Sequence, residues 1–442
     1  RILNFVAVAP GHCMSRYLLM LTLVVAGEII FGLPFHTARF FRPTLLEAFG
    51  FTNTQLGDVF AVYGVTAMLA YFPGGVLADR YSARGLLTLS LVATGLGGFY
   101  MATFPGPAGM AALYAYWGIT TILLFWAALI RATREWGGAK AQGRAFGVLD
   151  GGRGAVAAVV ATTGVAVLAW KMPDSVELVS NAERRSAFRA VIHMYSFAAI
   201  GTAALSWWLI PGRTKSGDSG RGLFHGASSV VTRPLVWAQA AVIVCAYSAF
   251  KGLDNYSLYA VQVLGMNEVA GAQLSAFGTY IRPVAAISAG ILADRWTTGK
   301  TIGLAFAVLI VSYSLLSIAV PKGNGLTVIY ANIVVSFFAV FALRGVYFAL
   351  LEENHTPAHL TGAVAGMVSF IGYTPEIFFA PITGRILDAT PGIGGHQNYF
   401  LFLAGVALLG VLVVAWLLRL QRVSEKKPWE HDPANGTSSS TK

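Results

Sequence analysis

Ionisable side chains interrupt several long apolar stretches of the sequence, and these residues are its best candidates for chemistry. The positive members are Arg39, Arg131, Arg153, Lys251, Arg282 and Arg344, and the negative members are Glu28, Asp150, Asp254 and Glu376. A charged side chain at bilayer depth costs about 2.5–3.5 kcal/mol on insertion scales, so each is expected to have a function or a fixed partner. The excess of cations over carboxylates favours a chamber that accepts anions.

Arg282 is the strongest single candidate for binding an anion. It lies in the segment Gly278-Thr-Tyr-Ile-Arg-Pro283, well inside an apolar stretch. Its planar guanidinium fits the oxygens of a carboxylate, phosphate or sulfate group. The alternative is a structural salt bridge to an acid on another helix. The predicted substrate-binding residues are Arg282, Lys251, Arg39, Arg153, Tyr280 and Tyr256.

The carboxylates at similar depth are candidates for carrying a coupling proton, because removal from water favours the neutral acid. A permanent pairing with an arginine is the alternative. Asp150 and Arg153 are three residues apart, as are Lys251 and Asp254, a spacing that lets each pair meet on one helix face. Such a pair either neutralises itself or opens to take substrate or a proton. The predicted proton-coupling residues are Glu28, Glu376, Asp150 and Asp254.

The composition indicates an all-α polytopic membrane protein. Of the 442 residues, 56% are hydrophobic and only 12% are charged, whereas soluble domains carry about 25% charged residues. An ordinary soluble enzyme, a disordered chain and a nucleic-acid binder are therefore excluded. The net charge of +11 is explained by basic residues in cytoplasmic loops.

Twelve apolar stretches are long enough to cross a bilayer, since a span needs about 20 residues. They lie near 17–40, 55–78, 85–104, 108–133, 145–170, 188–210, 234–263, 272–293, 301–320, 326–350, 360–386 and 397–419. We predict an N-terminal six-helix bundle over 1–211, a cytoplasmic linker over 212–233, a C-terminal six-helix bundle over 234–420 and a disordered tail over 421–442. The distribution of basic residues predicts that both termini and the linker are cytoplasmic.

An internal repeat follows the second stretch of each half. Gly75-Val-Leu-Ala-Asp79-Arg80 recurs as Gly290-Ile-Leu-Ala-Asp294-Arg295, and each copy has a basic residue four or five places later. This double motif resembles that of the major facilitator superfamily over almost the whole chain. The resemblance implies two bundles related by a pseudo-twofold axis, a substrate site between them, and an Asp that helps to latch one state.

The predicted gating residues follow from this resemblance and from symmetry. Arg131 and Arg344 occupy equivalent places toward the cytoplasmic ends of the fourth and tenth stretches, where we expect them to pair with nearby acids such as Asp79, Glu135, Asp294 and Glu352. The full set is Asp79, Arg80, Arg84, Asp294, Arg295, Lys300, Arg131 and Arg344.

A weaker similarity links residues 35–52 and 249–259 to the organophosphate–phosphate antiporters and their anion-transporting relatives. It implies that basic residues on the first and seventh spans bind the anion. Here Lys251 stands where an Arg is expected, and the first-span cation is displaced to Arg39.

We therefore predict a monomeric secondary active transporter of the bacterial inner membrane, acting by proton symport or anion exchange. Its substrate would be a small organic anion: a sugar acid, a carboxylate, or a phosphate or sulfonate ester. No enzymatic activity, cofactor or metal is expected, since the sequence has no Walker loop and no His-Glu-x-x-His. Two alternatives remain: a proton-driven exporter of drugs or amphiphiles, and a scaffold or assembly factor that does not transport.

Overall fold

The computed structural model describes residues 10–138, 142–172, 179–212, 231–323, 325–353 and 361–424, and this part of the chain is helical. The long helices are α1 (Arg16–Phe40), α2 (Asn53–Arg80), α3 (Ala83–Met101), α4 (Pro107–Gly137), α5 (Gln142–Lys171), α6 (Asn181–Leu209), α7 (Pro234–Gln262), α8 (Glu268–Arg295), α9 (Thr298–Ile318), α10 (Gly325–Ala349), α11 (Thr361–Gly372), α12 (Pro375–Ala389) and α13 (Ile393–Ser424). Short helices cover Arg42–Phe49 and Leu350–Glu353.

Ten of these helices are long and apolar enough to cross a membrane. They confirm ten of the twelve predicted spans. Helix α3, with 19 residues, lies at the third predicted position. At the eleventh, the chain forms two shorter helices, because the run is interrupted at Tyr373 and Thr374 before Pro375. Most of the predicted linker and tail lies outside the described residues.

Three of the long helices lose regular α geometry part of the way along. Helix α1 has a π-helical turn at Gly32–His36, α4 has one at Ile119–Trp126, and α7 contains a 3₁₀ turn at Leu253–Asn255. Such departures from the regular hydrogen-bond ladder are common at functional positions. Here they fall on or next to charged and aromatic residues that face the centre of the molecule.

The two copies of the repeated motif have the same local structure. Ser82 Oγ accepts a hydrogen bond from Gly85 N at 3.2 Å, and Thr297 Oγ1 accepts one from Lys300 N at 3.2 Å. Each hydroxyl thereby caps the helix that follows the motif. Asp79 and Asp294 themselves lie exposed at the ends of α2 and α8.

The two most extensive helix contacts between the first half of the chain and the second are α2 along α12 and α5 along α8. The α2–α12 contact is a close backbone approach. A Cβ on Gly57 would lie 2.4 Å from Ala380 O, and one on Gly64 would lie 2.6 Å from Glu376 O. Glycine at these two positions therefore allows the halves to meet.

Candidate functional site

A cavity of about 160 Å³ lies between the two halves. Helices α1, α2, α4 and α5 form one side, and α7, α8, α10 and the α11–α12 region form the other. Its charged lining residues are Glu28, His36, Arg39, Arg153, Lys251, Arg282, Arg344 and Glu376, and its aromatic ones are Phe31, Phe35, Phe40, Tyr63, Tyr71, Trp126, Tyr247, Phe250, Phe341 and Tyr373. Four of the predicted substrate-binding residues, Arg282, Lys251, Arg39 and Arg153, thus share one chamber.

Glu28 is the centre of a buried cluster within the first half. Arg153 Nε donates to Glu28 Oε2 at 3.1 Å, and His36 Nε2 lies 3.1 Å from Glu28 Oε1. The Arg153 guanidinium also lies 5.7 Å from the ring centres of Phe31 and Trp126. Arg153 therefore has a carboxylate partner inside the molecule.

A second cluster joins α1 to α7 and α12. Arg39 Nε donates to Asp254 Oδ1 at 2.5 Å, while Lys251 Nζ lies 3.0 Å from Asp254 Oδ2 and 3.3 Å from Glu376 Oε2. The Tyr247 hydroxyl donates a short hydrogen bond to Glu376 Oε1. Two cations balance two carboxylates here, and the predicted pairing of Lys251 with Asp254 is confirmed.

Arg282 pairs with an acid on another helix, which was the alternative considered for it. Its Nη2 lies 2.8 Å from Asp150 Oδ1. The Asp150 side chain is 52% exposed, whereas those of Glu28, Asp254 and Glu376 are 7%, 10% and 11% exposed. The expected contact between Asp150 and Arg153 is not formed. Asp150 pairs with Arg282 on α8, and Arg153 pairs with Glu28 on α1.

Arg344 differs from the other cations of the cavity. Within the described part of the chain no carboxylate pairs with it, and its buried Nη1 has no hydrogen-bond partner. Its guanidinium carbon lies 4.1 Å from the centre of the Phe250 ring, and that of Arg39 lies 4.2 Å from the same centre. Arg344 thus presents to the chamber a guanidinium that has no carboxylate of the described residues within ion-pair distance, although Asp150 interacts with it at longer range.

We expected Arg131 and Arg344 to occupy equivalent positions in the two halves, but their surroundings differ. Arg131 binds the end of α2, donating to Ala78 O and, at 2.9 Å, to Tyr81 O, and it pairs with Glu135 at 3.5 Å. Helix α4 ends at Gly137, but helical structure continues beyond Arg344 as far as Glu353. Arg344 therefore lies deeper than Arg131 and reaches the cavity.

The other predicted gating residues lie outside the cavity. Asp79, Arg80, Asp294, Arg295 and Lys300 are exposed, and the Arg84 guanidinium lies 4.5 Å from the Trp207 ring centre. In the second half, Glu353 Oε2 accepts from Thr298 N at 2.6 Å and so ties the end of α10 to the motif. The side chain of Glu352 lies outside the described residues.

The two tyrosines predicted to contact substrate are turned away from the cavity. Tyr280 is 49% exposed, and its hydroxyl lies 2.8 Å from Thr162 Oγ1. It precedes Arg282 by two residues, which places it on nearly the opposite face of the helix. Tyr256 is buried, and its hydroxyl lies 2.7 Å from Ser336 Oγ. The prediction is corrected for both residues.

Two of the predicted proton-coupling residues, Asp254 and Asp150, do not line the cavity themselves but contact residues that do. Asp254 is buried beneath Arg39 and Lys251, and Asp150 contacts the chamber through Arg282.

Sequence reasoning missed Phe250 and Tyr247. Both precede Lys251 on α7, and Tyr247 is four residues from it, a spacing that places the two on the same helix face. This spacing could have identified Tyr247 as a neighbour of Lys251 in the cavity. Nothing in the sequence indicated that Phe250 contacts two guanidinium groups.

Polar contacts join the two halves where α2 begins and α12 ends. Asp388 Oδ2 accepts from Thr54 N at 2.7 Å, and Asp388 Oδ1 accepts from Asn53 N at 3.2 Å and from Asn53 Nδ2 at 3.0 Å. Arg385 Nη1 donates to Asp58 Oδ1 at 2.8 Å. The bond from Arg39 to Asp254 lies toward the same end, opposite to the end that carries the repeated motif.

Comparison with known proteins agrees with this architecture. The chain is 27% identical over 422 residues to the inner membrane protein YihN of Escherichia coli, covering 93% of this chain and 97% of the relative. It is 24% identical over 445 residues to the probable nitrate/nitrite antiporter NarK1 of Thermus thermophilus, covering 93% of each chain.

Solved structures show the same fold. A bacterial homologue of the human lysosomal transporter Spinster, in an inward-facing and occupied conformation, superimposes with a TM-score of 0.70 at 15% identity, covering 96% of this chain and all of the other. Residues 24–381 match the sequence pattern of the Major Facilitator Superfamily. This match, which covers most of the chain and agrees with the fold, shows that the protein belongs to the Major Facilitator Superfamily.

Proposed function

We propose that this membrane transporter moves a small organic anion through the cavity by alternating access. The observation that carries the proposal is the unpaired charge of Arg344. The cavity cations Arg39, Arg153, Lys251 and Arg282 each have a carboxylate within 3.3 Å, but Arg344 has none in the described part of the chain. A charge kept at membrane depth without a partner is costly, and an anionic substrate would supply the partner.

Arg282 is the second contact that we propose for the anion. An arginine can turn to a substrate only if the carboxylate that it leaves is not strongly destabilised by losing its partner. Removing one partner of a buried ion pair costs about 3–5 kcal/mol, and this applies to the buried partners of Arg153, Arg39 and Lys251. Asp150 is half-exposed, so water can solvate it when Arg282 moves. The guanidinium groups of Arg282 and Arg344 line the same cavity.

The size and lining of the cavity limit the substrate. A cavity holds one water for roughly 10–15 Å³ of this volume, so the chamber accepts a solute of on the order of ten non-hydrogen atoms. The aromatic lining favours a ring or an apolar body behind the charged group. A monosaccharide acid or a small carboxylate fits both limits. The relative NarK1 is named as an antiporter of nitrate and nitrite, which are also anions.

We further propose that the protein lies in a bacterial inner membrane as two six-helix bundles with both termini cytoplasmic. The relative YihN is named an inner membrane protein. With this orientation, the closed end at Asn53 and Asp388 faces outward, and the motif end faces the cytoplasm. The arrangement is then closed to the outside, and the rocking of the bundles would open it.

Uptake into proteoliposomes tests the proposal. Labelled gluconate, glucuronate and glucose 6-phosphate would be offered to the wild type and to Arg344→Gln, Arg344→Lys and the exposed control Lys322→Gln. We expect saturable uptake of at least one anion, lost in Arg344→Gln, partly kept in Arg344→Lys and unchanged in the control. Equal uptake by wild type and Arg344→Gln would contradict the proposal.

Export of cationic drugs is the competing function, and the charge pairing argues against it. Both cavity carboxylates, Glu28 and Glu376, already contact cations of the protein. A cationic substrate would have to displace a guanidinium or ammonium group. Ethidium efflux by the wild type, abolished in Glu376→Gln, would favour the exporter instead.

A further inference from the structure

We propose that Asp150 is an internal competitor for the substrate anion and carries the coupling proton. The inference rests on the proposed anion transport. In the structure, the Asp150 carboxylate occupies Arg282 at 2.8 Å, the place where the substrate's charged group would bind. A proton on Asp150 removes that competitor and leaves the Arg282 guanidinium free for the anion.

The exposure of the two partners favours Asp150 as the one that exchanges a proton. The Arg282 side chain is buried and lines the cavity, while the Asp150 side chain is half-exposed and is not a lining residue. Asp150 also lies near the beginning of α5, eight residues after Gln142, so that about two helical turns separate it from the end that carries the repeated motif. This is the end from which we propose that protons reach Asp150.

The charged groups around Asp150 are all cations within the described part of the chain. Arg282 contacts it from α8, Arg344 on α10 interacts with it electrostatically at longer range, and Arg153 lies one turn along α5. No second carboxylate in this part stabilises a proton on Asp150, so its protonation must be linked to neutralisation of these cations. A bound anion does this, because it takes over the interaction with Arg282 and Arg344.

Binding of the anion and binding of the proton therefore favour each other, and this linkage is reciprocal. One proton adds to a carboxylate oxygen of Asp150 as one anion binds at Arg282 and Arg344. Both leave on the other side of the membrane, the proton to water and the anion to solution. Asp150 then returns to Arg282, and the empty transporter has its original charge.

The other carboxylates are poorly placed for this exchange. Glu28 is held by Arg153 and His36, Asp254 by Arg39 and Lys251, and Glu376 by Lys251 and Tyr247. Each has two partners and little exposure. Asp150 has one ion-pair partner and access to water.

The test compares Asp150→Asn with Asp150→Glu and with the exposed control Glu47→Gln. Gluconate and glucuronate are the probes, because their own carboxylates stay ionised from mildly acidic to mildly alkaline pH. Binding to the purified protein would be measured over that range. For the wild type we expect affinity to fall as the pH rises, because ionised Asp150 then competes. In Asp150→Asn we expect tighter binding at alkaline pH, by about fivefold or more, and no pH dependence.

Asp150→Glu should restore the pH dependence, and Glu47→Gln should match the wild type. Proton-driven accumulation in proteoliposomes should be lost in Asp150→Asn, although exchange of labelled for unlabelled anion continues. If the anion binds through Arg344 but Asp150→Asn keeps the wild-type affinity and pH dependence, the role of Asp150 is refuted and anion transport stands. If no probe binds to any variant, anion transport fails and the role of Asp150 fails with it.

Discussion

The Asp388 carboxylate at the end of α12 accepts hydrogen bonds from the backbone N–H groups of Asn53 and Thr54, and so caps helix α2 across the boundary between the two halves. The first N–H groups of a helix have no partner within it. Capping by a side chain is worth about 0.5–2 kcal/mol. The first N–H groups of α2 thus have these hydrogen-bond partners only while Asp388 of the other half stays in contact with them.

Asp388→Ala should therefore favour opening at the α2–α12 end. In a chain with Cys13→Ser, Cys245→Ser and Met68→Cys, we expect faster labelling by a membrane-impermeant maleimide added from the side where Asn53 and Asp388 lie. Met68 is the probe position because it lines the cavity. The exposed variant Glu47→Gln is the control, and an unchanged labelling rate in Asp388→Ala would show that the cap does not contribute to closure.

Arg153→Gln and Arg344→Gln should affect stability in opposite ways. Arg153→Gln leaves the buried Glu28 without its main cation, so we expect a loss of about 3–5 kcal/mol. Arg344→Gln removes a cation that has no described carboxylate within ion-pair distance, so stability should stay the same or rise. Thermal unfolding in detergent measures both.

The double variant Glu28→Gln with Arg153→Gln serves as the check on this comparison. Its destabilisation should be smaller than the sum of the single variants, since the two residues form one pair. Additive effects, or a large loss of stability in Arg344→Gln, would contradict the described pairing.

Tyr247→Phe and Tyr280→Phe each remove a hydroxyl group, the first from a residue that lines the cavity and the second from one that does not. Tyr247→Phe deletes the donor to Glu376 and should reduce transport several-fold, because a carboxylate oxygen beside Lys251 loses its hydrogen bond. Tyr280→Phe should leave transport near the wild-type level. Initial uptake rates decide this, and the reverse order would return Tyr280 to the substrate site.

Arg131→Gln should slow transport without weakening substrate binding. Arg131 holds the end of α2 through Ala78 and Tyr81 and does not line the cavity. We expect kcat to fall and KM to stay within about twofold, the pattern of an interaction outside the binding site. A rise in KM alone would place Arg131 in contact with substrate.

The sequence predicted the helical fold, ten of the spans and the repeated motif, because hydrophobic length and recurring residues are local properties. It also selected four arginine or lysine residues that meet in one cavity. The i,i+3 spacing predicted the pairing of Lys251 with Asp254. Partners on other helices were beyond prediction, since Asp150 meets Arg282 and Glu28 meets Arg153 across more than a hundred residues of chain. The predictions for Tyr280 and Tyr256 were wrong because residues two apart lie on nearly opposite faces of a helix, and only the packing of the helices determines which face lines the cavity.

The π-helical turn at Gly32–His36 separates two anchors on α1. Glu28, before the turn, is held by Arg153 of the same half, and Arg39, after it, is held by Asp254 of the other half. Ser257 Oγ also donates to Arg39 O at 2.9 Å. A helix attached at its two ends to different bodies bends where its hydrogen-bond ladder is irregular. If the halves rock as we propose, we expect α1 to bend at this turn, with its last part held to the opposite half by the Arg39–Asp254 ion pair.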